Sequence, residues 1–123
     1  MGSHILVVDD EININQVLSE ILKLEGFEVV CAFDGEEAID KARSGIPAVI
    51  LLDIGLPKKT GWEVLEILKG DEQTRAIPII VLSAWSQKED IDRGIGLGAY
   101  KYLTKPFNPL DVIAALNEII GKK

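Results

Sequence analysis

Ala48-Val-Ile-Leu-Leu-Asp53-Ile-Gly-Leu-Pro57 runs five apolar or small residues straight into a single aspartate and then breaks at Gly55 and Pro57. An uninterrupted apolar run this short is the pattern of a strand buried on both faces, as at the centre of a parallel sheet. Asp53 falls at its carboxyl end, the edge at which open α/β sheets bind ligands. Taken alone, Asp53 reads equally well as the first polar residue after a strand, capping the loop. The strand ends elsewhere in the chain change that balance.

Outward from this segment the chain alternates strand and helix. On its N-terminal side, Ile5-Leu-Val-Val8 is a short apolar strand closed by Asp9 and Asp10. A helix follows from about Ile12 to Glu25, with Ile14, Val17, Leu18, Ile21 and Leu22 at helical spacing and Gly26 as its stop. Phe27 to Ala32 is a second strand. Asp34, with Glu37 three residues on, caps a helix that runs through Arg43 to Gly45. On the C-terminal side, Thr60-Gly-Trp-Glu63 is a capping box opening a helix to about Lys69, and a polar loop from Gly70 to Ala76 leads to the strand Ile79-Ile-Val-Leu82. Ser86-Gln-Lys-Glu89 caps a helix that Gly94, Gly96 and Gly98 dissolve. Tyr100 to Leu103 is the fifth strand. Asn108 and Pro109 start the last helix, with Val112, Ile113, Leu116 and Ile119 facing inward.

Five βα units with short loops and right-handed crossovers predict an α/β fold: a doubly wound, five-stranded parallel sheet with helices on both faces. Strand order 2-1-3-4-5, the flavodoxin-like arrangement, sets the ends of strands one and three side by side at the switch point. Asp9, Asp10 and Asp53 then share one crevice with whatever follows strands four and five, namely Ser83-Ala84 and Thr104-Lys105-Pro106.

Composition narrows the function classes. A chain of 123 residues with net charge -7 and 47% hydrophobic residues is sized for a single domain with one substantial core. We place that domain at residues 5–121. Residues 1–4, Met1-Gly-Ser-His4, lack the apolar core of a signal peptide and read as a tag remnant or disordered N-terminus. No apolar run approaches the roughly 18 residues a membrane span needs. The lone Cys31 can staple nothing and reads as a small core filler, consistent with a reducing cytoplasm. An acidic chain without a basic patch argues against direct nucleic-acid binding.

Three carboxylates a few ångströms apart raise one another's pKa unless a cation is present. A hard divalent ion with oxygen ligands, Mg²⁺ foremost and Mn²⁺ as a substitute, would satisfy them and keep positions for water and phosphate. One carboxylate can then act as a nucleophile toward phosphorus, with the Ser83 hydroxyl and the Lys105 ammonium as partners for phosphoryl oxygens. A cis bond at Lys105-Pro106 would aim that lysine inward.

On these residues the chain resembles a response-regulator receiver domain of two-component signalling, over essentially all of residues 5–121. The resemblance rests on Val7-Val-Asp-Asp-Glu11, Leu52-Asp-Ile-Gly-Leu-Pro57 with Gly61 beyond, Ser83-Ala84, and Tyr102-Leu-Thr-Lys-Pro-Phe107. It implies that Asp53 is the phosphoacceptor, with Lys105 and Ser83 assisting. It implies that Asp9, Asp10, Asp53 and the main-chain carbonyl of Gly55 hold the metal, and that Ser83 and Tyr102 are the switch. The expected function is a cytoplasmic phosphoacceptor in a phosphorelay, not an enzyme. A histidine kinase or phosphotransfer protein would load it, docking near Ile14 and Leu18 with Pro106-Phe107. A protein target would read the surface of the fourth helix, fifth strand and fifth helix, and the domain would be a monomer or weak phosphorylation-dependent dimer.

Departures from the family pattern carry information. Thr60 stands where an acid or amide often precedes Gly61, a capping swap. Gly55 offers no side chain beside Asp53, and Trp85 is bulky two residues after Ser83; both positions tune phosphoryl lifetime in the family. The strand Tyr100-Lys-Tyr102 lacks the acidic pair, and the last helix lacks the arginine, of relatives that dimerise through that face, so that dimer is not carried over. Trp62 reads as surface packing, and Glu89, Asp90 and Asp92 as a solvated face. A haloacid-dehalogenase-like phosphatase would want a second acid where Gly55 stands. A flavodoxin would want a hydroxyl-rich loop where Asp9-Asp10-Glu11 would repel phosphate. A degenerate docking receiver would be expected to have lost an acid or the lysine.

Overall fold

The computed structural model describes residues 4–121. Five strands and five helices alternate: β1 His4–Val8, α1 Ile12–Leu24, β2 Glu28–Ala32, α2 Gly35–Gly45, β3 Val49–Leu52, α3 Gly61–Gly70, β4 Ile79–Ser83, α4 Lys88–Gly96, β5 Lys101–Thr104 and α5 Pro109–Ile120. The strands form one parallel sheet in the order β2-β1-β3-β4-β5, as the alternation predicts. No helix among the described residues is long and apolar enough to cross a membrane.

Period-two alternation along the buried strands divides the core into two layers. Leu6, Val8, Ile50, Leu52 and Val81 point to one face and pack under Ala38 and Ile39 of α2 and Leu65 and Leu68 of α3. Ile5, Val7, Val49, Leu51, Ile80 and Leu82 point to the other, under Leu18 and Leu22 of α1 and Val112 and Leu116 of α5. All four residues of β3 are buried, which is why its sequence shows no polar alternation.

Some local expectations hold and others shift by a residue. Thr60 and Glu63 form the reciprocal capping box at α3, and Asn108 caps α5 through the Leu110 N–H. At α2 the Asp34 carboxylate accepts from Glu37 N–H, while Glu37 accepts instead from Phe33 N–H. That helix ends at Gly45, as expected, and the left-handed C-cap residue that follows is Ile46, φ 43°. The cap of α4 is Gln87, whose N–H reaches Asp90, not the Ser86–Glu89 pair. His4, grouped by sequence with the remnant, pairs with Glu28 as the first residue of β1; residues 1–3 of that segment lie outside the described residues.

Burial overturns three side-chain assignments. In α1 the fully inward positions are Asn15, Leu18, Ser19 and Leu22, while Val17 is 56% exposed. Cys31 is only half-buried on the edge strand β2, its Sγ 3.2 Å from Ser19 Oγ. Trp62 is core, not surface: it is buried in the layer that includes Leu65 and Leu68, with Trp85 at a centroid distance of 6.1 Å and the Arg93 guanidinium 4.4 Å over its ring.

Candidate functional site

The sheet's carboxyl edge assembles the site. Asp53 N–H donates to Val8 O at 3.0 Å, continuing the β1–β3 ladder by one residue and setting Asp53 beside the acids that follow β1. Asp9 N–H donates to Ala32 O at 3.2 Å on the other side. Lys105 N–H donates to Ser83 O at 2.8 Å, so the residue after β5 is held against the end of β4. The Lys105–Pro106 peptide is cis, and the Lys105 side chain reaches back across the edge.

Its ammonium lies 2.9 Å from Asp9 Oδ2 and 3.6 Å from Asp53 Oδ1. Asp9 is buried and its other oxygen accepts from the Glu11 N–H at 3.0 Å. Asp53 is buried too, whereas Asp10 is exposed. One carboxylate oxygen from each of Asp9, Asp10 and Asp53 lies within 4.8 Å of the others. Burial pushes the Asp53 carboxyl above its usual value; Lys105 opposes this, Asp9 and Asp10 reinforce it, and the Gly55 backbone works against it. For Lys105, burial pulls the ammonium down, but the bond to Asp9 and the charges of Asp53, Asp9 and Glu11 outweigh it and leave it raised.

A cleft of about 290 Å³ opens over these groups, lined by Asp10, Glu11, Asp53, Gly55, Ser83, Ala84, Trp85 and Lys105. The carboxylates form a hard, all-oxygen donor set carrying more negative charge than one lysine balances. That set fits a hard divalent cation and suits no soft metal. Gly55 leaves open space where a side chain would stand, since a Cβ there would meet nothing within 4 Å. Ser83 is buried, and its Oγ accepts from Trp85 N–H at 3.0 Å. The hydroxyl of Tyr102 donates to the carbonyl of the same Trp85 at 2.6 Å. Ser83 and Tyr102, paired by sequence, are thus linked through the main chain of Trp85.

Beside the cleft runs an apolar groove of about 540 Å³ between α1 and the loop after β5, lined by Ile14, Val17, Ala84, Pro106 and Phe107 among others. Leu18, expected on this surface, is buried beneath it, and Val17 takes its place. Asp9, Asp10, Asp53, Gly55, Ser83 and Lys105 therefore fall at one sheet edge, while Tyr102 lies two residues back within β5, opposite Val81. What sequence reasoning missed is the support around it: Asn15 under the acid pair, and Trp62 beneath Trp85. Both carried a signal, because Asn15 precedes Leu18, Ser19 and Leu22 by three, four and seven residues, and Trp62 precedes Leu65 by three.

The chain matches the model of the response regulator receiver domain over residues 5–117. It is 42% identical over 122 residues to the alkaline phosphatase synthesis transcriptional regulatory protein PhoP of Bacillus subtilis, covering 99% of this chain and 50% of that protein. It is 40% identical over 118 residues to the transcriptional regulatory protein CpxR of Escherichia coli, covering 96% of this chain and 49% of the relative. The chain thus spans about half the length of these curated relatives. Among solved structures, the chemotaxis protein CheY4 of Vibrio cholerae superposes with a TM-score of 0.88 at 34% identity, covering 97% of this chain and 99% of the other.

Proposed function

The chain belongs to the response regulator receiver domain family, and from that premise we propose that it is a phosphoacceptor whose Asp53 carboxylate takes up a phosphoryl group. The observation that carries this reading is the convergence of one oxygen from each of three carboxylates within 4.8 Å, with the Lys105 ammonium 3.6 Å from Asp53 Oδ1, at the carboxyl edge of the sheet. A carboxylate oxygen of Asp53 attacks the phosphorus of a phosphohistidine; the acyl O–P bond forms as the P–N bond breaks, and the imidazole leaves with the electron pair. Asp9, Asp10, Asp53 and the Gly55 carbonyl would hold Mg²⁺, with Mn²⁺ as a substitute, which supplies positive charge to the phosphoryl oxygens. Lys105 carries a second positive charge to the same oxygens, and its tie to Asp9 fixes its reach.

The Ser83 hydroxyl, which accepts the Trp85 N–H, can donate its own hydrogen to a phosphoryl oxygen. Drawing Ser83 inward pulls on Trp85 and through its carbonyl on Tyr102, and so resets the α4–β5–α5 surface that a protein target would read. The donor, a histidine kinase or phosphotransfer protein, would dock in the apolar groove beside Ile14, Val17, Pro106 and Phe107. On this reading the domain is a cytoplasmic signalling phosphoacceptor that contacts no nucleic acid itself, a monomer or weak phosphorylation-dependent dimer, and not an enzyme turning over an external substrate.

The test uses acetyl phosphate and Mg²⁺. Intact mass spectrometry should find one acid-stable, base-labile phosphoryl group on the parent chain and none on Asp53→Asn, because an amide is no nucleophile. Equal modification of the Asn variant would overturn the assignment.

A further inference from the structure

Asn15 exposes no surface, although it sits on the first full turn of α1 directly behind two acids. Its carboxamide nitrogen donates to Asp9 O at 3.1 Å and Ala32 O at 3.2 Å, with Val7 O further away at 3.5 Å. Its oxygen accepts from the Ser19 hydroxyl at 3.4 Å, and that hydroxyl lies 3.2 Å from Cys31 Sγ. The carboxamide therefore joins α1, the end of β1 and the end of β2 at one point. The carbonyl of Asp9 belongs to the peptide that leads into Asp10, so the bond from Asn15 holds the plane from which the Asp10 side chain departs. Beyond Val8 the strand register has ended and a single main-chain bond, Asp9 N–H to Ala32 O at 3.2 Å, ties the turn to β2, while repulsion among the acids would push the turn toward solvent. A neutral donor is suited to hold it: a lysine or arginine would compete with a cation for the carboxylates, and an acid would add to the repulsion.

We propose that Asn15 is a positioning residue for the metal-binding acid pair, fixing the Asp9–Asp10 peptide against β2 so that the two carboxylates keep the separation a divalent cation requires. This rests on the cation reading of the acid cluster given above. Residues that hold metal ligands in place typically contribute 10- to 100-fold to affinity. Binding of Mn²⁺ to the intact chain, followed by the loss of the free-ion electron paramagnetic resonance signal, provides the readout and requires no phosphorylation.

Asn15→Leu keeps the volume and removes both donors, and should weaken Mn²⁺ binding about tenfold. Leu68→Ala, buried in the layer under α3 away from the acids, should lower stability yet bind Mn²⁺ as the parent does. An Asn15→Leu chain with parent affinity would overturn the proposal, as would a Leu68→Ala chain that loses as much affinity, since the effect would then be general loosening. If Asn15→Leu does not fold, Ser19→Ala carries the test: it frees the carboxamide oxygen, along with the contact to Cys31 Sγ, and should cost about two- to threefold, near the worth of one hydrogen bond. Parent affinity in that variant would also overturn the proposal. A parent chain that takes up no Mn²⁺ would instead remove the cation reading itself, and this inference with it.

Discussion

Replacing Asp53 by asparagine should make the metal-free protein more stable while abolishing its chemistry. The Asp53 carboxylate sits 3.6 Å from Lys105 and has oxygens of Asp9 and Asp10 within 4.8 Å. At an effective dielectric near 20, the attraction is worth about 4.6 kcal/mol and each repulsion, taken at the outer limit of 4.8 Å, about 3.5 kcal/mol. Halving the Asp10 share for its exposure leaves the charge opposed by roughly 0.7 kcal/mol, and burial, the largest influence on Asp53, adds to that. A net gain of about 1–2 kcal/mol for the neutral amide follows, or roughly 3–8 °C in melting temperature for a domain of this size. Lys105 keeps Asp9 at 2.9 Å in the variant, so no buried cation is orphaned.

The pH dependence has a defined sign. Because the folded-state pKa of Asp53 lies above its unfolded value, the folded protein binds the extra proton. The stability that this proton brings is present below the unfolded pKa and lost as pH rises through the folded one. The advantage of Asp53→Asn should therefore be small in acid and full near neutrality. Saturating Mg²⁺ should narrow or reverse the order, since a ligand at ten times its Kd stabilises the parent by about 1.4 kcal/mol and finds one carboxylate fewer in the variant. Thermal unfolding by circular dichroism in acid and near neutral pH, with chelator and then with Mg²⁺, measures all three effects. An Asn variant that melts at or below the parent in chelator near neutral pH would refute the electrostatic reasoning.

Asp10→Ala should also raise the melting temperature in chelator, by less than Asp53→Asn because Asp10 is exposed, and should weaken Mn²⁺ binding in a calorimetric titration; unchanged affinity would mean that Asp10 is no ligand. Ser83→Ala should still be phosphorylated but should show smaller amide shift changes around Tyr102 on adding beryllofluoride, and changes as large as in the parent would mean the coupling bypasses Ser83. Gly61→Ala should cost about 1–3 kcal/mol in denaturant unfolding, because its Cβ would lie 2.5 Å from Ile54 Cα and 2.6 Å from Asp53 O, both backbone atoms that cannot swing away. Since that backbone carries Asp53, the proposed nucleophile, the same variant should be phosphorylated more slowly in the mass-spectrometric assay.

Local order in this protein is written in its sequence. The buried runs around Val49–Leu52 and Ile79–Leu82 specify strands, Thr60–Glu63 and Asn108–Pro109 specify helix starts, and alternation with short connections leaves the doubly wound sheet as its natural packing. Because that topology brings the ends of β1, β3, β4 and β5 together, Asp9, Asp10, Asp53, Ser83 and Lys105 could be assigned to one edge from their positions alone. Periodicity is a local property, and it survives without knowledge of neighbours.

What periodicity cannot specify is how far each helix is rotated and which polar group finds a distant partner. Apolar spacing in α1 turned Val17 inward; the fold instead buries Asn15, because three backbone carbonyls at the ends of β1 and β2 offer its amide more than solvent does. Trp62 looked like a surface residue until Trp85 and Arg93, from elements 23 and 31 residues away, closed over it. Ile46, not Gly45, adopts the left-handed cap because the chain must turn there to enter β3. Each of these outcomes depends on contacts between residues far apart in the chain, and only the assembled tertiary structure brings those residues within reach of one another.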